Sequence, residues 1–137
     1  MKKSFNHKIK VYYEDTDAGG VVYYANYLKF LERARSEALS EVGLSNLKIK
    51  KDYGALIVVK SCNIDFNKSA YLEDKLHINS FVNSFTKTSF TMSQSIYRNK
   101  DIIVKSKTHL VFVNEKSKPI KIPTNILKIL KPYLFIN

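Results

Sequence analysis

One cysteine, no tryptophan, four glycines and three prolines in 137 residues exclude several architectures at once. The lone Cys62 cannot close an internal disulfide, and no Cys or His stands at zinc-finger spacing to it, which removes disulfide-stapled scaffolds and zinc fingers. Scarce Gly and Pro remove collagen-like and Pro-rich chains. The longest wholly apolar run, Ala55 to Val59, is too short to cross a bilayer as a helix. Arginine is also rare: Arg33, Arg35 and Arg98 are the only ones, so lysine carries the positive charge. The start, Met1-Lys2-Lys3-Ser4-Phe5-Asn6-His7, has the charge of a signal peptide but no apolar stretch behind it, so the expected compartment is the cytoplasm.

With 45% hydrophobic and 26% charged residues, the composition is that of a folding globular chain, and the length suits one domain over residues 1–137. The net charge of +11 permits nucleic acid, anionic lipid or a polyphosphate ligand as partner. An abundance of Lys, Asn and Ile, the pattern of an AT-rich coding genome, offers a plainer origin for the same charge. Lys2-Lys3, Lys48-Ile49-Lys50-Lys51 and Lys116-Ser117-Lys118 read as solvated clusters at termini or turns. No Gly-rich, basic RNP-type segment accompanies them, so nucleic acid is not the expected partner.

His7 to Tyr13 alternates, with Ile9, Val11 and Tyr13 on one side, as a half-buried strand does. Glu14-Asp15-Thr16-Asp17-Ala18-Gly19-Gly20 then turns the chain. Tyr24, Tyr27, Leu28, Leu31, Ala34, Ala38 and Val42 recur at three- and four-residue steps, which predicts a long amphipathic helix ending at Gly43. Four strand-like segments follow, Ala55 to Phe66, Lys75 to Asn83, Thr88 to Arg98 and Ile102 to Val113. Within them Leu76, Ile78, Ser80 and Val82, and likewise Phe90, Met92, Gln94 and Ile96, mark one covered face. Pro123 opens a short helix carrying Ile126, Leu127 and Leu130, stopped by Pro132. The order predicts an α+β fold, one long helix packed on an antiparallel sheet.

No G-x-S-x-G, P-loop, Rossmann glycine motif or H-E-x-x-H occurs. His7, His77 and His109 fall on separate segments without a carboxylate or nucleophile partner, and read as strand residues; Cys62 reads the same way. The loop before the helix is different, because it brings two carboxylates, two glycines and a helix start together. The first N–H groups of a helix lack partners and sit at its positive end, a seat for an oxyanion. Asp17 could then serve as general base or nucleophile, while Asp15, Thr16 and Asp17 could equally cap the helix or form an Asx turn.

The run Tyr13-Glu14-Asp15-Thr16-Asp17-Ala18-Gly19-Gly20-Val21-Val22-Tyr23-Tyr24-Ala25-Asn26-Tyr27 resembles the signature of the 4-hydroxybenzoyl-CoA thioesterase family of hotdog-fold proteins. Within that family it is most similar to the acyl-CoA thioesterases associated with the bacterial Tol-Pal envelope system, and the likeness runs on through Leu28 to Ala38. Ala70-Tyr71-Leu72-Glu73-Asp74-Lys75-Leu76 and Lys118-Pro119-Ile120-Lys121-Ile122-Pro123 echo the family's turn into its third strand and its closing segment.

The resemblance implies a helix wrapped by a five-stranded antiparallel sheet, hydrolysing short-chain or aryl acyl-CoA thioesters without metal or cofactor. It places the catalytic carboxylate at Asp17, substrate contacts at Gly20, Tyr24 and Tyr27, the oxyanion donor at the main-chain N–H near Tyr24, and a loop-holding role at Asp15. It implies a homodimer or homotetramer with the site across an interface. Where the Tol-Pal-associated enzymes show Tyr-His, this chain has Tyr23-Tyr24. That departure keeps a second reading open: a non-catalytic module for acyl-CoA, acyl carrier protein or lipid at the inner membrane.

Overall fold

A computed structural model describes residues 3–135. Strand β1 (Phe5–Lys10) leads through the loop to helix α1 (Asn26–Glu41), then α2 (Asn46–Tyr53), β2 (Leu56–Phe66), β3 (Lys75–Phe85), β4 (Ser89–Arg98), β5 (Asp101–Val113) and α3 (Thr124–Leu130). The five strands form one sheet in the order β1-β3-β4-β5-β2, every neighbour antiparallel. This is the α+β hotdog arrangement expected from the sequence, with the long helix laid over one face.

Several boundaries move. The first strand starts at Phe5 and ends at Lys10, and Tyr13, expected on its buried side, is 82% exposed in a 3-10 turn over Tyr13–Asp15. Lys48 to Lys51 lie in α2, not in a turn: Ser45 caps that helix by accepting the Lys48 N–H, and Gly54 ends it in the left-handed region. Pro123 precedes the last helix as its cap, and Pro132 sits inside a following 3-10 turn. Gly43 ends α1 as expected: its φ is +82°, its N–H reaches the Ser40 carbonyl at 3.1 Å, and Leu44 N–H reaches Leu39 at 2.8 Å. Of the Lys2-Lys3 cluster, Lys2 lies outside the described residues.

The interior holds two apolar clusters. One gathers Val11, Tyr27, Phe30, Leu31, Ala34, Leu76, Ile78 and Ile96; the other gathers Ala38, Leu39, Ile49, Val82, Phe90, Met92, Leu110 and Ile126. A polar belt crosses between them. Ser80, Gln94, Ser106 and Thr108 are buried on neighbouring strands: Ser80, Gln94 and the Ser106–Thr108 pair are each flanked along the strand by one residue of each cluster, and Arg35 crosses the same line from α1 between Ala34 and Ala38. Gln94 ties the belt together: its Nε2 donates to the Leu31 carbonyl at 3.0 Å and to Ser80 Oγ at 3.1 Å, and its Oε1 accepts Arg35 Nη1 at 3.1 Å. Among the described residues no buried side-chain polar atom lacks a partner, which is what lets such a belt lie inside a core.

Helix α1 packs most closely over β1 and β3. Strand β2, eleven residues at the sheet's edge, is therefore exposed along most of its length, including Val59 at 51% and Phe66 at 48%. Among the described residues no helix is long and apolar enough to cross a membrane.

Candidate active site

The loop is fixed first by Asp15. This buried carboxylate accepts the Tyr12 N–H on Oδ2 at 2.9 Å and the Asn26 side-chain amide on Oδ1 at 2.8 Å. It thereby joins the end of the first strand segment to the first residue of α1, as the loop-holding expectation required.

Asp17 faces the other way and is exposed. Its Oδ1 accepts the Gly19 N–H at 2.8 Å and the Val21 N–H at 3.4 Å, forming an Asx turn, while Oδ2 accepts no hydrogen bond among the described residues. The Asx-turn alternative is therefore realised through one oxygen, and the other accepts no hydrogen bond among the described residues. Gly20 follows with φ +79°, a conformation that costs a side-chain-bearing residue about 1–2 kcal/mol. Its carbonyl accepts the Leu72 N–H at 3.0 Å, and Val22 N–H reaches the Ala70 carbonyl at 2.9 Å, so the loop is zipped to residues 70–72.

The helix start is uncapped. Ala25 holds the cap position without a side-chain bond, and Asn26, Tyr27 and Leu28 N–H groups turn back to the carbonyls of Tyr23, Tyr24 and Ala25. The N–H groups of Tyr24 and Ala25 find no partner among the described residues. They are open donors at the positive end of a 16-residue helix.

Four aromatic rings, Tyr23, Tyr24, Tyr27 and Phe66, stand at this start. Tyr24, 63% exposed, meets Tyr23 at 5.0 Å between ring centres and Phe66 edge-on at 6.2 Å. Tyr27, by contrast, is buried against Phe30 and Phe66, and its Oη accepts the Ala70 N–H at 3.0 Å. Burial raises its phenol above the ordinary value, only partly offset by that hydrogen bond. Tyr27, expected as a substrate contact, thus has its ring buried and its phenol oxygen held by Ala70.

Residues 69–74 have a second anchor that sequence reasoning did not single out. Arg98 on β4 donates to Asp74 Oδ2 at 2.8 Å and to the Ser69 carbonyl at 2.9 Å, and lies over the Tyr71 ring. It holds the 69–74 segment on which the loop rests. Only the fold brings position 98 to position 74, so no local pattern could have signalled it.

The discounted residues stay apart from this loop. His77 Nε2 pairs with Asn6 Oδ1 at 2.7 Å and His109 Nε2 with Ser89 Oγ at 2.9 Å, both on the sheet. Cys62 is a free, exposed thiol on β2. No group of His, Cys, Asp and Glu able to hold a metal ion occurs among the described residues.

A carboxylate oxygen left over from its turn, in a loop that leads into a helix start with open main-chain donors, supplies the kinds of group that attack on a carbonyl needs. The thioesterase-like superfamily matches this chain over residues 11–130. The chain belongs to that superfamily. Among its thioesterase-like relatives is the acyl-CoA thioesterase YbgC of Haemophilus influenzae, 34% identical over 127 residues, covering 92% of this chain and 93% of that protein. A solved structure of a probable thioesterase from Bartonella henselae is 31% identical, with a TM-score of 0.85 over 88% of this chain and all of the other. A 4-hydroxybenzoyl-CoA thioesterase solved with 4-hydroxybenzoyl-CoA shares the fold, with a TM-score of 0.85 at 21% identity over 93% of this chain and 99% of that one.

Proposed function

We propose that this member of the thioesterase-like superfamily is an acyl-CoA thioester hydrolase working through Asp17. The relatives named acyl-CoA thioesterases support the reaction class. The observation that carries the residue assignment is that one loop-to-helix junction holds both an Asp17 Oδ2 that accepts no hydrogen bond among the described residues and, at its uncapped helix start, the open N–H groups of Tyr24 and Ala25.

The chemistry follows from that combination. Asp17 either takes a proton from water as the water oxygen attacks the thioester carbonyl, or attacks directly through Oδ2 to give an anhydride that water then opens. In both routes the C–S bond breaks, CoA leaves as the thiolate, and charge builds on the carbonyl oxygen. In this reading the Tyr24 main-chain N–H stabilises that oxygen, with the helix dipole behind it. Gly20 keeps the loop in a turn that only glycine enters freely.

The exposed edge strand β2 supports a homodimer as the working unit, since an eleven-residue unpaired edge with Leu56, Val58 and Val59 exposed invites pairing. Pairing there would bring a second copy to Phe66 and hence to the rim of the site. A free exposed thiol fits the cytoplasm. The binding-module reading draws on Tyr24 in place of a histidine and on the engagement of Asp17 Oδ1 in the turn.

Asp17→Asn separates the two. The amide oxygen can keep the Asx turn while the charge and the basic oxygen are lost. Thiol release from a panel of short, long and aromatic acyl-CoAs should fall by about two orders of magnitude or more at unchanged melting temperature. An active variant would remove Asp17 from the chemistry; a wild type that binds CoA esters without turnover would install the binding module.

A further inference from the structure

The belt that divides the core ends in a cavity. Between the C-terminal half of α1 and the sheet lies a space of about 140 Å³. Its walls are mostly apolar, among them Leu39, Val59, Phe90, Met92 and Leu110, and Arg35 lies in the same lining. A cavity of this size lined by apolar side chains can hold a small hydrocarbon.

Arg35 is an unusual wall. Nη1 donates to Gln94 Oε1, and this is its sole hydrogen bond among the described residues, with no carboxylate close enough for an ion pair. Glu32 lines the same space but is engaged by the Ser36 hydroxyl. A guanidinium has five N–H donors in a planar fork, so most of its capacity is unspent. Burial lowers its basicity, with Glu32 acting the other way.

The cavity is in line with the site. Because α1 packs over β1 and β3, it leaves the helix-facing side of β2 uncovered from Phe66, beside Tyr24, to Val59, in the cavity wall. Arg35 stands nine residues beyond Asn26, roughly 14 Å along the helix axis. Its side chain leans back toward the helix start, which shortens that distance. An extended chain of about eight to twelve bonds spans it, on the reach of an extended backbone.

We propose that Arg35, held by Gln94, ends the acyl groove of the thioesterase site and decides which acyl groups it accepts. This rests on the hydrolase reading above. An alkyl chain long enough to reach Arg35 must strip water from a charged group and return nothing, whereas one carrying a hydroxyl or carboxylate at that depth meets free donors. Shorter chains end before Arg35 and are indifferent to it. The cavity beyond is the space an alkyl chain would occupy were the charge absent.

The test compares wild type, Arg35→Met, Arg35→Gln and Arg35→Lys on butyryl-, dodecanoyl-, hexadecanoyl- and 12-hydroxydodecanoyl-CoA. Arg35→Met should raise kcat/KM for hexadecanoyl-CoA tenfold or more and leave butyryl-CoA unchanged. It should also abolish the preference for the hydroxylated twelve-carbon chain over the plain one. Arg35→Lys keeps a cation and should keep the length limit; Arg35→Gln keeps a donor toward Gln94 without charge and should follow Met, which covers the case of a misfolded Met variant. Equal changes on all four substrates, or none, would overturn the proposal. Dissociation constants of the same esters on Asp17→Asn chains read the groove without turnover. Length discrimination in binding that vanishes with Arg35, together with a wild type that hydrolyses none of the four esters, would sink the hydrolase reading alone. Binding indifferent to length and to Arg35 would sink the groove.

Discussion

The buried phenol oxygen of Tyr27 accepts the main-chain N–H of Ala70 at 3.0 Å, joining α1 to the segment that carries the Asp17 loop. Ala70 in turn offers its carbonyl to Val22, two residues before Tyr24. One side chain therefore sets the height of the loop relative to the helix start, and carboxylate and N–H donors move together.

Tyr27→Phe should leave the buried Ala70 N–H unsatisfied, at a cost of about 1–3 kcal/mol. Thermal unfolding reads that loss, and turnover should drop less than in Asp17→Asn, because the loop loosens without losing its charge.

The same residue gives a pH signature. Burial holds the Tyr27 phenol above its ordinary value, so the folded chain keeps a proton that the unfolded chain gives up near pH 10. The stability it contributes is complete below about pH 10 and lost as pH rises beyond it. Unfolding midpoints between pH 9 and 11 should fall more steeply for wild type than for Tyr27→Phe; parallel curves would show that Tyr27 does not titrate differently on folding.

Gly20→Ala places a side chain at φ +79° with open space around it, so the cost is backbone strain alone. A stability loss of about 1–2 kcal/mol is expected. Turnover should fall further than global stability does, since the strain is relieved by shifting the Asp17 turn. Equal stability in melting experiments would show that the loop tolerates a different path.

At the helix start the two components of Tyr24 are separable. Tyr24→Phe should be mild if the main chain is the donor, and Tyr24→Pro, which deletes the N–H at the second position of the turn closed by Asn26 N–H on the Tyr23 carbonyl, where proline is favoured, should lower kcat by about 10²–10³. The reverse order in steady-state assays would assign the work to the phenol.

The edge strand offers a further test. Val58→Lys puts a charge into the exposed stretch of β2. Sedimentation should show dimers giving way to monomers, with activity falling in step if the second copy completes the site. A variant that stays dimeric would move the interface elsewhere.

Much of this was legible from the sequence because the signals were local. The period of α1, its Gly43 stop and the alternation of β3 and β4 each depend on residues close in the chain. Asp17 and Gly20 stood out for the same reason. Helix α2 was missed because Lys48, Lys50 and Lys51 hide a single buried residue, Ile49, although Ser45 and Gly54 flank it as cap and stop. The bond from Ala70 to Tyr27 was not legible because sequence does not report which way a hydroxyl turns. Gln94 passed as one more position on the covered face, and its four partners come from three other parts of the chain.

Gln94 also bears on how the strands choose their alignment. A slip of β4 by one residue would turn its apolar side chains to solvent, but a slip by two would keep every one of them inward. Apolar packing alone scarcely tells those two alignments apart. With Gln94 opposite Ser80 and Ser106, the polar belt closes only in the native pairing. Two residues away, the amide would face Ile78 or Val82 and its partners would be orphaned in the core. The belt acts as a key cut into an otherwise repetitive lock, trading some apolar contact for a single answer.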